Sequence, residues 1–374
     1  MYELALWLHT LARSLVAIFI PVLMLKSGYS LQHVIFFFLV YNILDVPLNF
    51  VARGVIRRIG ARLTVALATL ATILFYWTFL HITAPVLSDL LLLALLAAVY
   101  DSFYWVAHYY LFIETGRETK GAGRSTGTMY AVRQFALLLG PAVGAGILVF
   151  FSRDALLYAT IAGYVLSITP LLALREFPDK PHRGPIPFRK FFALPHGKRA
   201  FLSSVLYAIH DTVESNLFPL FIFLLLGTIE SVALIPVILS VTAMGVAFFL
   251  GRIRTQRRAL AIVIGGLSLA SIWMIRLLAG EVPVYYVSVL FVSIAAYFVL
   301  VPVDTMIVEH AKRIGDALSA SMYRNIAYMG PNIVLYGLLA LLLNVFEPSF
   351  AFAAVSLGAL TIVHVFSWMS ARRV

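Results

Sequence analysis

The sequence predicts an all-α integral membrane protein, with twelve transmembrane helices arranged as two pseudo-symmetric six-helix bundles. Three observations carry this reading. The 374 residues are 62% hydrophobic and only 12% charged, against about 45–50% and about 25% in an average globular domain. Apolar runs long enough to cross a bilayer recur from end to end. The two halves also share a pattern of charges, prolines and basic loops. A soluble enzyme, a disordered chain and a disulfide scaffold are excluded by this composition.

Hydropathy places the spans near 4–25, 32–52, 62–82, 87–113, 126–151, 155–174, 200–226, 231–250, 260–279, 283–308, 318–344 and 349–370. At about 21 residues each they leave no room for an extramembrane domain. The start, Met1-Tyr2-Glu3, lacks a basic n-region, so span 1 reads as a retained helix and not a cleaved signal. The absence of cysteine rules out disulfide, iron–sulfur and thiolate-zinc chemistry.

A net charge of +11 would suggest nucleic acid in a soluble chain, but its distribution points elsewhere. On the side that carries both termini lie 22 of the 28 Lys and Arg, including Arg53, Arg57, Arg58 and Arg62 after span 2 and Arg252 to Arg258 after span 8. Only Lys26, Arg153 and Arg276 are assigned to the opposite side. The positive-inside rule then makes both termini cytoplasmic, and the expected location is a prokaryotic cytoplasmic membrane. A stretch rich in proline and basic residues divides the chain into an N-terminal bundle (1–174), a cytoplasmic linker (175–199) and a C-terminal bundle (200–374).

The halves repeat. Leu11-Ala12-Arg13-Ser14 leading to Pro21 and Gly28 parallels Ile209-His210-Asp211-Thr212 leading to Pro219 and Gly227, with Arg13 and Asp211 at the same place before their prolines. Arg133 with Gly140-Pro141 in span 5 parallels Arg324 with Gly330-Pro331 in span 11. Parallel six-helix repeats with a site between them describe one class of secondary transporter.

With these residues in view, the whole chain resembles the major facilitator superfamily. Gly127-x8-Ala136-x3-Gly140-Pro141-x2-Gly144-Ala145 is similar to its helix 5 antiporter motif, with two glycines replaced by alanine. Arg58-Ile59-Gly60-Ala61-Arg62 resembles the basic half of its loop 2–3 motif, with Arg57 where the usual acid stands. The helix 4 arginine of its drug/proton antiporters is absent, and Asp101 is the charge there. The resemblance implies a monomer in which spans 1, 4 and 7 line a central cavity.

Eight ionisable residues fall inside the spans: Arg13, Asp45, Asp101, Arg133, Asp211, Glu214, Asp304 and Arg324. Each costs about 2.5–3.5 kcal/mol at a helix centre, so each is expected to face protein or water and to mark function. Arg13, Asp101, Asp211 and Glu214 lie near mid-span. They are the candidates for substrate binding, together with Tyr104, His108 and Tyr207. Asp211 and Glu214 are spaced i, i+3 and share a helical face. Two carboxylates that close do not ionise together easily, so Asp211 and Glu214, with Asp101, are the candidate proton carriers. His210, four residues before Glu214, is expected to bond it. Arg13 suits an anionic group or pairs with Asp101 or Asp211. A static ion-pair network that docks the halves is the alternative.

Asp45, Glu114, Arg124, Arg133, Asp304, Glu309 and Arg324 form a candidate cytoplasmic gate whose pairs make and break as the cavity changes sides. Snorkelling at helix ends is the plainer reading for Glu114, Arg124 and Glu309. Asp101, Tyr104 or Trp105, and His108 make one polar-aromatic stripe. Gly140, Pro141 and Gly144, with Gly330 and Pro331, are the candidate packing and hinge residues. No Walker loop, nucleophile elbow or zinc motif is present, so no cofactor, metal or catalytic residue is expected.

The sequence therefore predicts a secondary transporter, not an enzyme. It would move a small charged or amphiphilic organic solute by alternating access, coupled to protons, with export by antiport favoured. The alternatives are proton-coupled symport of an organic anion and a lipid flippase on the same fold.

Overall fold

The computed structural model describes residues 2–115, 122–173, 187–192, 195–250 and 257–371. Twelve long helices lie within them. The first bundle comprises α1 (Tyr2–Val16, a 3-10 turn Ala17–Phe19, and Ile20–Lys26), α2 (Leu31–Ile59), α3 (Ala61–Leu80), α4 (Leu87–Thr115), α5 (Ala122–Phe150) and α6 (Arg153–Leu172). The second comprises α7 (Pro195–Thr212, a π-helical turn Val213–Leu217, and Phe218–Leu226), α8 (Ile229–Leu250), α9 (Arg258–Leu278), α10 (Val282–Ile314), α11 (Ala317–Leu339) and α12 (Phe346–Ala371).

Among the described residues, ten helices are long and apolar enough to cross a membrane, and Ile229–Ser240 adds a shorter apolar stretch. The helix outside this set is α11, whose buried face carries Arg324, Asn325 and Asn332. Such a face must turn to protein or water. Hydropathy also misplaces three ends. α2 runs to Ile59 and not 52, and α10 to Ile314 and not 308. Arg57 and Arg58, and Lys312 and Arg313, occupy these last turns, where cations suit the helix dipole but depress hydropathy. α11 stops at Leu339, short of 344.

Within the bundles, α1 packs on α5 and α6, and α9 on α10 and α12. The halves meet where α2 and α4 pack on α11 and where α5 packs on α8 and α10. Two apolar clusters each draw on both halves, one gathered toward the face with the termini and one toward the far face. Arg13, Asp101, Asp211 and Glu214 sit between them in depth.

The repeat is visible in how the first helix of each half breaks. Pro21 follows the 3-10 turn of α1, and Pro219 follows the π turn of α7. A proline donates no backbone hydrogen bond to the preceding turn, so an α-helix cannot pass through unchanged. Each half resolves the conflict with a different non-α turn. The paired glycines Gly28 and Gly227 then end both helices at positive φ, +93° and +74°, where a side chain would be strained.

Gly140 and Gly144 let α5 touch α1. A Cβ at Gly144 would overlap the Leu15 carbonyl oxygen and stand 2.8 Å from its carbon, and one at Gly140 would stand 2.6 Å from Ser14 Cβ. Gly144→Ala is therefore expected to cost about 1–3 kcal/mol through forced separation of the two backbones. A lowered unfolding midpoint in detergent checks this, and an unchanged one refutes it. The second copy of the motif behaves differently. A Cβ at Gly330 would meet nothing within 4 Å, so the packing role expected of Gly330 is not needed there, although Pro331 lies inside α11 as Pro141 lies inside α5.

Most of the expected linker, 175–199, lies outside the described residues. Its described part is a short helix, Phe188–Phe191, and α7 begins at Pro195, earlier than residue 200. Proline suits a first helical turn. Phe191 is buried against His310 and Tyr323, its carbonyl bonded to His310 Nε2 at 3.0 Å.

Candidate functional site

A cavity of about 500 Å3 lies between the bundles, within the usual range for a small-molecule site. Its walls come mainly from α1, α2, α4 and α5 on one side, with Phe75 and Tyr76 of α3 and Tyr164 of α6, and from α7, α8, α10 and α11 on the other. Arg13, Asp101, Tyr104, Tyr207, Asp211 and Glu214 all line it. His108 does not. It lies behind Tyr104, whose ring is stacked between His9 at 3.9 Å and His108 at 5.3 Å, beside a separate space of about 20 Å3. The ring of the α4 stripe that meets cations in the cavity is Trp105.

Arg13 and Arg133 approach Trp105 from α1 and α5, with guanidinium carbons 5.4 and 4.9 Å from its ring. Arg133 thus lines the cavity, and it also lies 5.5 Å over the ring of Tyr130, at the closure below. Neither arginine has a carboxylate within ion-pair distance among the described residues, and Arg133 Nε has no hydrogen-bond partner. The expected pairing of Arg13 with Asp101 or Asp211 is therefore not formed. Asp101 lies beside Tyr41, Asn325 and Trp105 and feels the charge of Arg13, and its Oδ2 has no hydrogen-bond partner. Asp211 faces Arg133, Arg324 and Arg13 across the cavity. Arginines cannot shed their charge in a protein, so this space offers fixed positive charge beside two carboxylates that can be neutralised.

Glu214 is committed elsewhere. Its carboxylate takes two bonds from Arg276, at 2.5 and 3.2 Å. Arg276, assigned from the sequence to the far surface, is inside α9 with a fully buried side chain. Helical spacing is the physical reason. Glu214 is four residues after His210, which already faces α9, so the two share that face, whereas Asp211 lies on the neighbouring one. His210 does not bond Glu214 as expected; its Nδ1 accepts from Trp273 Nε1 at 2.8 Å.

Between the cavity and the face with the termini, polar groups close the bundle. Asp304 and Arg324 form a two-bond pair, both at 3.0 Å. The pair joins α10 to α11 inside the second half, so it need not break when the halves part. The contacts that cross are made by tyrosines and amides. Tyr130 of α5 donates to Asp304, Gln134 of α5 donates to Tyr297 of α10, and Arg324 lies 4.0 Å over the ring of Tyr109 of α4. Asn325 of α11 donates to Asn49 at 3.0 Å and to Asp45 at 3.3 Å, both on α2. Glu309 pairs with Arg258 at 2.8 Å within the second half. Glu114 ends α4 half-buried, and the side chain of Arg124 lies outside the described residues.

Residues 3–331 match the sequence profile of the Major Facilitator Superfamily. The chain belongs to this superfamily. The facilitator is similar in structure to the human organic anion transporter MFSD10 (TETRAN), with a TM-score of 0.70 over 97% of each chain and 14% identity. At that identity the likeness is one of fold. Similar structures number 262 chains, and no curated protein sequence matches. As a superfamily member the facilitator is a multi-pass membrane transporter and not an enzyme.

Several site residues of the facilitator escaped the charge-based reading. Asn42 and Asn49 flank the expected Asp45 in a buried stripe on α2 at helical spacing, a signal available in the sequence but overshadowed by the single acid. Trp273 and Arg276 carry a weaker i, i+3 signal at the end of an apolar run. Tyr130, Gln134 and Asn325 carry none, because neutral polar residues scarcely change hydropathy and their partners lie far away in the chain.

Proposed function

We propose that this facilitator carries a small amphiphilic organic anion together with a proton, by alternating access, across a membrane in which both termini face the cytoplasm. The observation that supports it is the pair of arginines, Arg13 and Arg133, flanking Trp105 in the cavity without a carboxylate partner. An arginine fork suits a carboxylate or sulfonate. The rings of Trp105, Phe37, Phe38 and Tyr336 give the rest of the solute an apolar surface. The human structural neighbour is itself an organic anion transporter, in keeping with this class.

Charge repulsion supplies the coupling. An anion held about 6 Å from ionised Asp211 is opposed by roughly 3 kcal/mol at an effective dielectric of about 20. Protonating Asp211 removes that term, worth about 100-fold in affinity. Anion binding therefore strengthens as pH falls and weakens as pH rises. Proton and anion then bind together, which favours symport over the antiport suggested by the α5 motif.

Proteoliposomes loaded with pH buffer and offered radiolabelled benzoate test the reading. Uptake is expected to follow an imposed proton gradient in the wild type, and Asp211→Asn is expected to bind benzoate with little pH dependence and to lose gradient-driven accumulation. Accumulation driven by the gradient in Asp211→Asn would refute Asp211 as the coupled group. A wild type that binds no aromatic carboxylate or sulfonate, but does bind organic cations, would refute the anion class.

A further inference from the structure

Asp211 is bracketed by two contacts that both reach α9. One residue before it, His210 accepts from Trp273 Nε1 at 2.8 Å. Three residues after it, Glu214 is held by Arg276. Trp273 and Arg276 are themselves spaced i, i+3, so one face of α9 grips both sides of the Asp211 turn. We propose that these contacts form a clamp through which Trp273 and Arg276, neither of which touches the cavity carboxylate, set the aim of Asp211. This rests on the reading of Asp211 as the coupled carboxylate.

The grip is strongly built. Arg276 Nε donates to Ser288 Oγ at 2.7 Å, its two terminal nitrogens serve Glu214, and its guanidinium lies 3.7 Å from the ring centre of Phe218 and 4.6 Å from that of Trp273. A buried ion pair seldom stabilises a protein more than an apolar pair of the same shape would. Stability alone therefore gives little reason for this one, whereas its location does. Glu214 lies within the π turn Val213–Leu217, a rare geometry that must be held in place by its surroundings. Pro219 withholds the backbone donor that would return to Ser215, and Ser215 Oγ instead donates to the Asp211 carbonyl. The turn that presents Asp211 is thus irregular on its C-terminal side and is pinned by Glu214.

The groups facing Asp211 come from both halves, and none of them belongs to α9. They are Arg13 of α1, Arg133 of α5, Tyr297 of α10, Arg324 and Tyr328 of α11, and Tyr207 and Glu214 of its own helix. A change at Trp273 can therefore reach the carboxylate only by moving the α7 backbone, whereas one at Arg276 also acts through the charge of Glu214.

Infrared titration of the purified protein reads this directly, through the protonated-carboxyl band that disappears in Asp211→Asn. The double variant Glu214→Met with Arg276→Met removes both charges and keeps the volume, and Trp273→Phe keeps the ring while losing the N–H. Trp273→Phe, which removes no charge, is expected to move the midpoint of the Asp211 band by about one pH unit, roughly tenfold in the proton equilibrium. The double variant is expected to move it too, in part because it removes the Glu214 charge that acts on Asp211. Arg276→Lys is expected to stay closer to wild type. Wild-type midpoints in Trp273→Phe and in the double variant would overturn the clamp while leaving Asp211 as the coupled group. If the double variant does not fold, Trp273→Phe decides alone. An Asp211 band that titrates normally beside uptake indifferent to Asp211→Asn would instead overturn the coupling reading.

Discussion

Arg13→Gln and Arg133→Gln are each expected to weaken binding of an aromatic carboxylate about 30- to 1,000-fold. The basis is the loss of one charge-assisted contact in a desolvated site, about 2–4 kcal/mol. Glutamine keeps much of the length and some hydrogen-bonding capacity, so charge is what the substitution removes. Lysine in either place should recover part of the affinity but not all, because its compact ammonium cannot form the planar two-bond contact. Calorimetric titration with benzoate separates the outcomes. Since both guanidiniums flank Trp105, quenching or shift of tryptophan fluorescence on binding should diminish in the same variants. Affinities within threefold of wild type in both glutamine variants would show that the anion binds elsewhere.

The second large effect is expected at Asp304. Asp304→Ala leaves Arg324 buried without its partner, and removal of one member of such a pair costs about 3–5 kcal/mol. A sharp loss of thermal stability in detergent is the expected reading. Replacing both Asp304 and Arg324 by leucine should recover much of it. Tyr130→Phe tests a different thing, since it removes a bond between the halves while leaving the pair intact. It is expected to change stability little and to make the face with the termini open more often, raising the labelling of a cysteine placed at Leu137, which lines the cavity. Equal destabilisation by Tyr130→Phe and Asp304→Ala would contradict this division of roles.

The two kinds of residue differ in how visible they are before folding. Asp304, Arg324, Arg13 and Asp211 stand out because an ionised side chain in an apolar span is expensive and must have a purpose. The resemblance of the two halves adds position, placing Arg13 and Asp211 alike before a proline. Neither signal says whom a charge meets. Arg324 pairs inside its own half, Arg133 belongs with Arg13 in the cavity, and Glu214 turns from Asp211 to Arg276. The last of these agrees with the i, i+4 spacing of His210 and Glu214, which puts both on the face toward α9. The spacing is visible in the sequence, but the partners on α9 are not.

Composition, hydropathy and the repeat by themselves determined the class of protein, the number of helices and most of the buried charges, Arg276 excepted. These follow from the cost of placing polar groups in lipid, which each segment meets separately. Only the tertiary structure decided which charges are paired, which face the cavity and which contacts close it. Those outcomes depend on distances between groups far apart in the chain, which the spacing of residues along one helix does not fix.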